Sequence, residues 1–432
     1  MKGACFIRLL LGLLAAAAAN LAALASAPNS PGNWPQWRGP DGDGHAASSD
    51  LPLEWSETNN VAWKKPIHDE GWSSPVVWGA QVWVTTARAD GHEMFAACID
   101  RDRGQVLHDV KVFDVEQVDA INPANSYASP TPVIEAGRLY VHFGTYGTAC
   151  LDTLTGQVLW SRRDLKCNHE MGPGSSLASV GNLLVFHVDG LDQQYVIALD
   201  KASGKTVWKT PRSIDFSAIN PSCRKAFSTP ALVEVAGRLQ LVCTGAYGAM
   251  AYDALSGVEI WKVRFTGWSA VMRPVCGRGL VFLGTDFDHP QLWAVRLGGH
   301  GDVTDTRVAW KISQRMPSTP SPLLVDDLLY VVNDAGIASC IEAQTGQLIW
   351  EQRLNGGFSA SPLFGAGRIY FFARNGAATV LAPGRKPRIL ALNKLEGVVM
   401  ASPAVAGNAL FVRTKTHLYR LANPPHKSGN GY

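Results

Sequence analysis

The chain lacks most of the short motifs that announce chemistry. It has no C-x-x-C, which removes zinc knuckles and thioredoxin-like redox pairs. It has no G-x-S-x-G elbow of a serine hydrolase. His169-Glu170 is not followed by the second histidine that a zinc protease requires, since Pro173 stands there. Gly204-Lys205-Thr206 mimics the end of a phosphate loop, but Leu199 occupies the place of its first glycine. Charge is also sparse: 17% of residues are charged and the formal net charge is +3, with no long run of either sign. A nucleic-acid binder needs a concentrated basic footprint, so that class is set aside. After the first 27 residues, no apolar run is long enough to span a bilayer.

Those first residues read as an export signal rather than as structure. Lys2 and Arg8 give a positive start, Leu9 to Ala19 is apolar, and small residues offer cleavage after Ala25 or Ala27. An uncleaved anchor is the alternative; Asn20 interrupts the run, which is short for a span. A secreted or periplasmic location follows, and with it an oxidising compartment. Of eight cysteines, Cys5 leaves with the leader. Cys98, Cys150, Cys243 and Cys340 sit in apolar strand patterns and read as small core residues. Cys167 and Cys223 lie in polar, loop-like surroundings, each a few residues before a strand start. Equivalent loops of successive repeats lie side by side, so a disulfide between Cys167 and Cys223 is expected.

What is abundant is repetition. Cys150–Trp160 (CLDTLTGQVLW), Ala198–Trp208 (ALDKASGKTVW), Ala251–Trp261 (AYDALSGVEIW) and Cys340–Trp350 (CIEAQTGQLIW) share one pattern. Each is a strand, a turn at Asp/Glu-x-x-Ser/Thr-Gly, and a second strand ending in tryptophan. The glycine supplies the positive φ of a tight turn, and the indole packs between neighbouring sheets. Each pattern follows a strand start at Pro75, Pro132, Ser176, Pro230, Pro274, Pro322, Pro362 or Pro403. Eight starts about 47 residues apart, with four strands per unit, mean propeller blades.

The expected fold is therefore all-β: an eight-bladed β-propeller of four-stranded antiparallel blades with tryptophan-docking motifs, closed by the N-terminal strand. A seven-bladed ring is the alternative. The unit after Pro403 runs out after three strands, and Asn60–Lys65 supplies the fourth, with Trp63 in the docking position. Docking residues are then Trp63, Trp160, Trp208, Trp261, Trp310 and Trp350. His108 replaces the tryptophan in the first unit, and Pro387–Leu392 lacks one in the seventh. The organisation reads as a leader (1–27), an aromatic clip across one face (28–59), the propeller (60–422) and a disordered tail (423–432). Asp41-Gly42-Asp43-Gly44 tempts a calcium reading, but His45 and Pro52 stand where an EF-hand loop needs acids. No metal is expected.

The docking pattern resembles that of the pyrroloquinoline quinone (PQQ)-like propellers. These include quinoprotein alcohol and glucose dehydrogenases and the periplasmic lipoprotein of outer-membrane barrel assembly. Trp34–Pro40 and Asn168–Ser176 resemble a secreted bacterial group of PQQ-like repeat proteins. The resemblance covers about residues 33–422 and is specific for fold, nearly silent about function. The alcohol-type dehydrogenases of the family carry a calcium-binding Glu-Asn-Asp set and usually two adjacent half-cystines; no adjacent cysteines occur here.

Long interblade stretches at 109–128, 163–175 and 210–227 gather Asn125, Tyr127, His169, Glu170, Arg224 and Lys225 on one rim. Asp189, Arg273 and Asp286 are expected at the same mouth. These nine residues are the candidate ligand-binding set; Lys225, Arg224, Arg273 and Arg374 are the cations a quinone's carboxylates would need. None has catalytic spacing, so no catalytic residue is assigned. The expectation is a monomeric, non-catalytic binding or assembly scaffold without cofactor, whose partner is a protein, peptide or carbohydrate of the cell envelope. The alternative is an oxidoreductase using PQQ with Ca²⁺ on alcohols or sugars.

Overall fold

The computed structural model describes residues 32–48 and 50–424. The leader and most of the tail fall outside the described residues. Within them the chain forms eight sheets, each with an antiparallel four-stranded core, arranged as successive blades. Blade 1 spans Val76–Trp78 to Val106–Asp114, and blade 2 Val133–Glu135 to Val158–Arg162. Blade 3 spans Ala178–Val180 to Thr206–Pro211, and blade 4 Ala231–Val235 to Glu259–Arg264. Blade 5 spans Val275–Gly277 to Val308–Ile312, and blade 6 Leu323–Val325 to Leu348–Arg353. Blade 7 spans Leu363–Gly365 to Arg388–Lys394. Blade 8 holds Ala404–Ala406, Ala409–Arg413 and His417–Ala422, and its outer strand is Val61–Pro66, with Trp63 opposite Arg420. Among the described residues, no helix is long and apolar enough to cross a membrane.

The turn between the third and fourth strands shows why its residues recur. In blade 3 the Asp200 carboxylate accepts from the Ser203 amide and hydroxyl at 2.8 and 2.6 Å. Gly204 takes φ +68°, and a Cβ there would lie 2.6 Å from the Trp160 ring of blade 2. The glycine therefore serves twice: it permits the turn, and it leaves the surface on which the preceding blade's indole rests. The same stacking puts Trp63 on Gly104, Trp208 on Gly257 and Trp310 on Gly346. The indole N–H of Trp63, Trp160, Trp310 and Trp350 donates at 3.0 Å to a carbonyl of the next blade's turn. Trp208, Trp261 and Trp350 are buried, while Trp63, Trp160 and Trp310 are half-buried. Cys98, Cys150 and Cys340 pair across the sheet with His108, Trp160 and Trp350, and each is buried. A small residue there accommodates the bulge that follows it.

Two departures from the repeat have physical causes. Blade 4 has five strands, not four, because the last hairpin of blade 5 lacks the tight glycine turn. The longer excursion sends Gly301–Asp302 back to pair in parallel with Glu259–Arg264, and Asp302 meets Arg264 at 2.6 Å. Blade 7 has Ala391 opposite Val380, where other blades dock an aromatic ring. The N-terminal segment fills that seam: Trp55 is buried and stacks on Phe372 at 5.7 Å and Tyr370 at 6.3 Å. Asn393 holds it by accepting from the Trp55 amide and donating to the Leu53 carbonyl.

Candidate functional site

The eight strand starts surround the channel, and their Ser-Pro-like signature has a purpose. The Ser74 amide donates to the Thr131 hydroxyl of the next blade, Thr131 to Ser176, and Ser176 to Thr229, each at 2.9 Å. At blade 5 the pattern resumes, from Arg273 to Ser321, Ser321 to Ser361 and Ser361 to Ser402, at 2.9–3.0 Å. Each bond satisfies an amide with a hydroxyl from the neighbouring repeat, so the ring is stitched at its inner wall as well as at its tryptophans.

One end of the channel is closed by residues 34–46. Trp34 pairs with Val77 of blade 1 in both directions at 2.8 Å, and the Pro35 carbonyl accepts from Ile134 of blade 2. The Trp37 carbonyl accepts from Arg273, and the Trp37 indole reaches Ser402. Arg38 donates to the carbonyls of Ser321 and Pro322 in blade 6, and Ala46 pairs with Phe364 of blade 7. Burial lowers Arg38 to about 9 and Arg273 to about 10. The result is a cup of about 660 Å³ whose lining includes Trp37.

The walls are aromatic in one direction and charged in the other. Trp72 precedes blade 1 and Trp268 precedes blade 5, and both line the cup. Four blades apart in a ring of eight, they come from opposite sides. Phe227, Phe287, Met171 and Met400 add apolar surface, with Phe287 exposed at 44%. Glu170 and Lys225 pair at 2.5 Å on the blade 3–4 side, and Glu170 also accepts from Ser222. Lys225 holds the Glu170 carboxyl below its usual range. Across the cup, Arg374 faces Asp334 at 3.9 Å. Glu170 and Ser269 both line the cup with φ of +60° and +55°. Left-handed non-glycine residues of this kind cluster at functional sites.

Of the nine candidate residues, Asn125, Glu170 and Lys225 line the cup. The other six do not. Tyr127 is buried behind it, donating to the Asp119 carbonyl. The His169 ring accepts from the Thr145 amide, and burial lowers it to about 4. Asp189 is buried against Arg212 at 2.5 Å, with burial raising its carboxyl and Arg212 opposing the rise. Arg224 closes its own loop on Ile219. Arg273 lies beneath Trp37, and the Asp286 carboxylate is spent on the amides of Asp288 and His289. Each found a local partner that a one-dimensional pattern does not display.

The expected disulfide is absent: Cys167 and Cys223 are both free. The two loops are adjacent, but the thiols face different neighbours. Cys167 is buried beside His169, with its sulfur 3.4 Å from the ring, whereas Cys223 lies against Tyr247 of blade 4. The two loops are joined instead by the Glu170–Lys225 pair.

Fold and cup together define a tryptophan-docked propeller with one mouth sealed by its own N-terminal segment. The chain belongs to the family of outer membrane protein assembly factor BamB, whose model matches residues 49–164 and 192–423. No curated protein matches it. Among solved structures, BamB from Moraxella catarrhalis is similar with a TM-score of 0.53 and 14% identity, over 78% of this chain and 95% of that one. Quinohemoprotein alcohol dehydrogenase from Comamonas testosteroni gives 0.64 and 10%, over 93% and 82%. The computationally designed Ika8 protein gives 0.56 and 14%, over 83% and 98%. At such identities the likeness is one of fold alone.

Proposed function

We propose that the protein is a non-catalytic binding scaffold of the cell envelope, secreted or periplasmic, which receives its ligand in the open mouth of the cup. The observation that carries this reading is where the perturbed groups lie. Catalytic sites gather strongly shifted acids and bases in the cleft. Here strongly shifted side chains such as Arg38, His142, His187, Arg273 and Arg413 are buried in the blades or beneath the floor. The cup keeps aromatic surface and ion pairs, which recognise rather than react. The family's description, an assembly factor of outer membrane proteins, accords with a binding role.

An oxidoreductase using PQQ and Ca²⁺ is the competing reading. The cup's residues do not suit that group. PQQ brings three carboxylates, whereas the cup is lined by Glu170, Asp288 and Asp334 against Lys225 and Arg374, one negative charge in excess. No cluster of three or more metal-ligating His, Cys, Asp or Glu side chains occurs among the described residues. The test is direct: purified protein is mixed with PQQ and Ca²⁺, passed over a sizing column, and assayed for dye reduction with alcohols and sugars. The scaffold reading expects no co-eluting quinone absorbance and no dye reduction; co-elution with turnover would overturn it.

A further inference from the structure

We infer that the cup takes the end of a neutral saccharide chain. The inference rests on the binding reading above and names its ligand class. A sugar ring carries patches of C–H on its faces and hydroxyls on its rim, so it asks for aromatic walls along one direction and hydrogen-bonding groups along the other. The cup has that division. Trp72 and Trp268 come from opposite blades, and the negative faces of such rings attract C–H groups. Between them, the side chains of Asp288, Thr319 and Ser359 line the cup and make no hydrogen bond to protein among the described residues. Arg374 keeps its Nε unpartnered and 42% of its side chain exposed. A few polar groups set around an apolar pocket in this way fix the orientation of a ligand whose bulk is held by apolar contact.

Charge narrows the class further. With one net negative charge and its only lysine committed to Glu170, the cup disfavours polyanions such as sulfated or uronate-rich chains. The floor narrows the geometry. Trp37 and its hydrogen bonds to blades 5 and 8 close the far end, so a polymer cannot thread through and only a terminus can enter. The volume, about 660 Å³, lies within the range of small-ligand pockets.

The experiment uses the full chain without its leader, titrated calorimetrically with neutral gluco-, manno- and chito-oligosaccharides, with saturation-transfer NMR reporting which protons touch the protein. At least one series is expected to bind, with terminal-ring C–H protons most strongly saturated. Trp268→Ala and Asp288→Ala should each weaken that binding at least about tenfold. Asp288 is exposed, so its variant is expected to fold, and circular dichroism melts check both. Binding insensitive to both substitutions would overturn the inference. So would the absence of binding by every series while aromatic peptides bind in a Trp268-dependent way, which would leave the scaffold reading standing. Binding of PQQ with Ca²⁺ and dye reduction would overturn both.

Discussion

Two seams of the ring solve one problem by different routes. Between blades 2 and 3, Trp160 rests on Gly204 and donates to the Lys201 carbonyl; every atom involved belongs to the repeat. Between blades 7 and 8 the repeat has lost its indole, and Trp55, from outside the repeat, occupies the gap against Tyr370 and Phe372. The same segment lays Trp37 and Arg38 across the channel. A propeller gains from docking residues because each one buries apolar surface between neighbouring blades. A seam completed by a distant segment makes ring stability and cup shape properties of one element. The blade 2–3 seam is local in sequence; the blade 7–8 seam is a closure contact spanning more than three hundred residues.

The contrast is broken most strongly at Trp55. It is 3% exposed, so Trp55→Ala should cost about 3–5 kcal/mol, read as a shift in denaturant midpoint. The half-buried Trp160 should cost less on the same substitution, because part of its ring already meets solvent. Equal losses would erase the distinction between the seams.

Acid sharpens the comparison from the other side. Burial keeps His142 and His169 neutral, lowering them to about 3 and about 4, and pushes His187 well below its ordinary 6.5. All three belong to blades 2 and 3 or the loop between them. The unfolded chain takes up these protons near pH 6.5 and the folded chain does not. Stability therefore falls as pH drops below about 6.5, and continues to fall through about 4. Hydrogen exchange at pH 5 should accelerate in blades 2 and 3 before blades 7 and 8. Uniform acceleration would contradict this assignment. The smallest effect is expected at Leu392, a residue 71% exposed on the outer strand of blade 7. Leu392→Lys should change stability by no more than about 0.5 kcal/mol, since Trp55 and not Leu392 fills the seam.

These regions also mark what the sequence discloses. Period, turn chemistry and docking residues were legible because each is written within one repeat. The vacancy in blade 7 was visible as a missing tryptophan, but its replacement 338 residues from Asn393 was not. For the cup, long loops drew attention to Asn125, Glu170 and Lys225, which do line it. Trp72, Trp268 and Phe287 sit in short connections, where loop length gives no signal. An aromatic residue just before a strand start was the available signal. Asp189 and Asp286 looked like rim acids because nothing linear distinguishes a solvated strand-end carboxylate from one buried against an arginine or a turn.

The N-terminal segment both completes the ring, through Trp55, and floors the cup, through Trp37. The most direct measurement compares the thermal unfolding of residues 28–432 with that of a chain beginning at Asn60, which keeps the outer strand of blade 8 but loses Trp34, Trp37, Arg38 and Trp55. A markedly lower midpoint is expected, together with rapid hydrogen exchange at the Ser321 and Ser361 amides, which donate to the hydroxyls of Ser361 and Ser402, and in the strands of blades 7 and 8. An unchanged midpoint with full protection of those amides would contradict that double role.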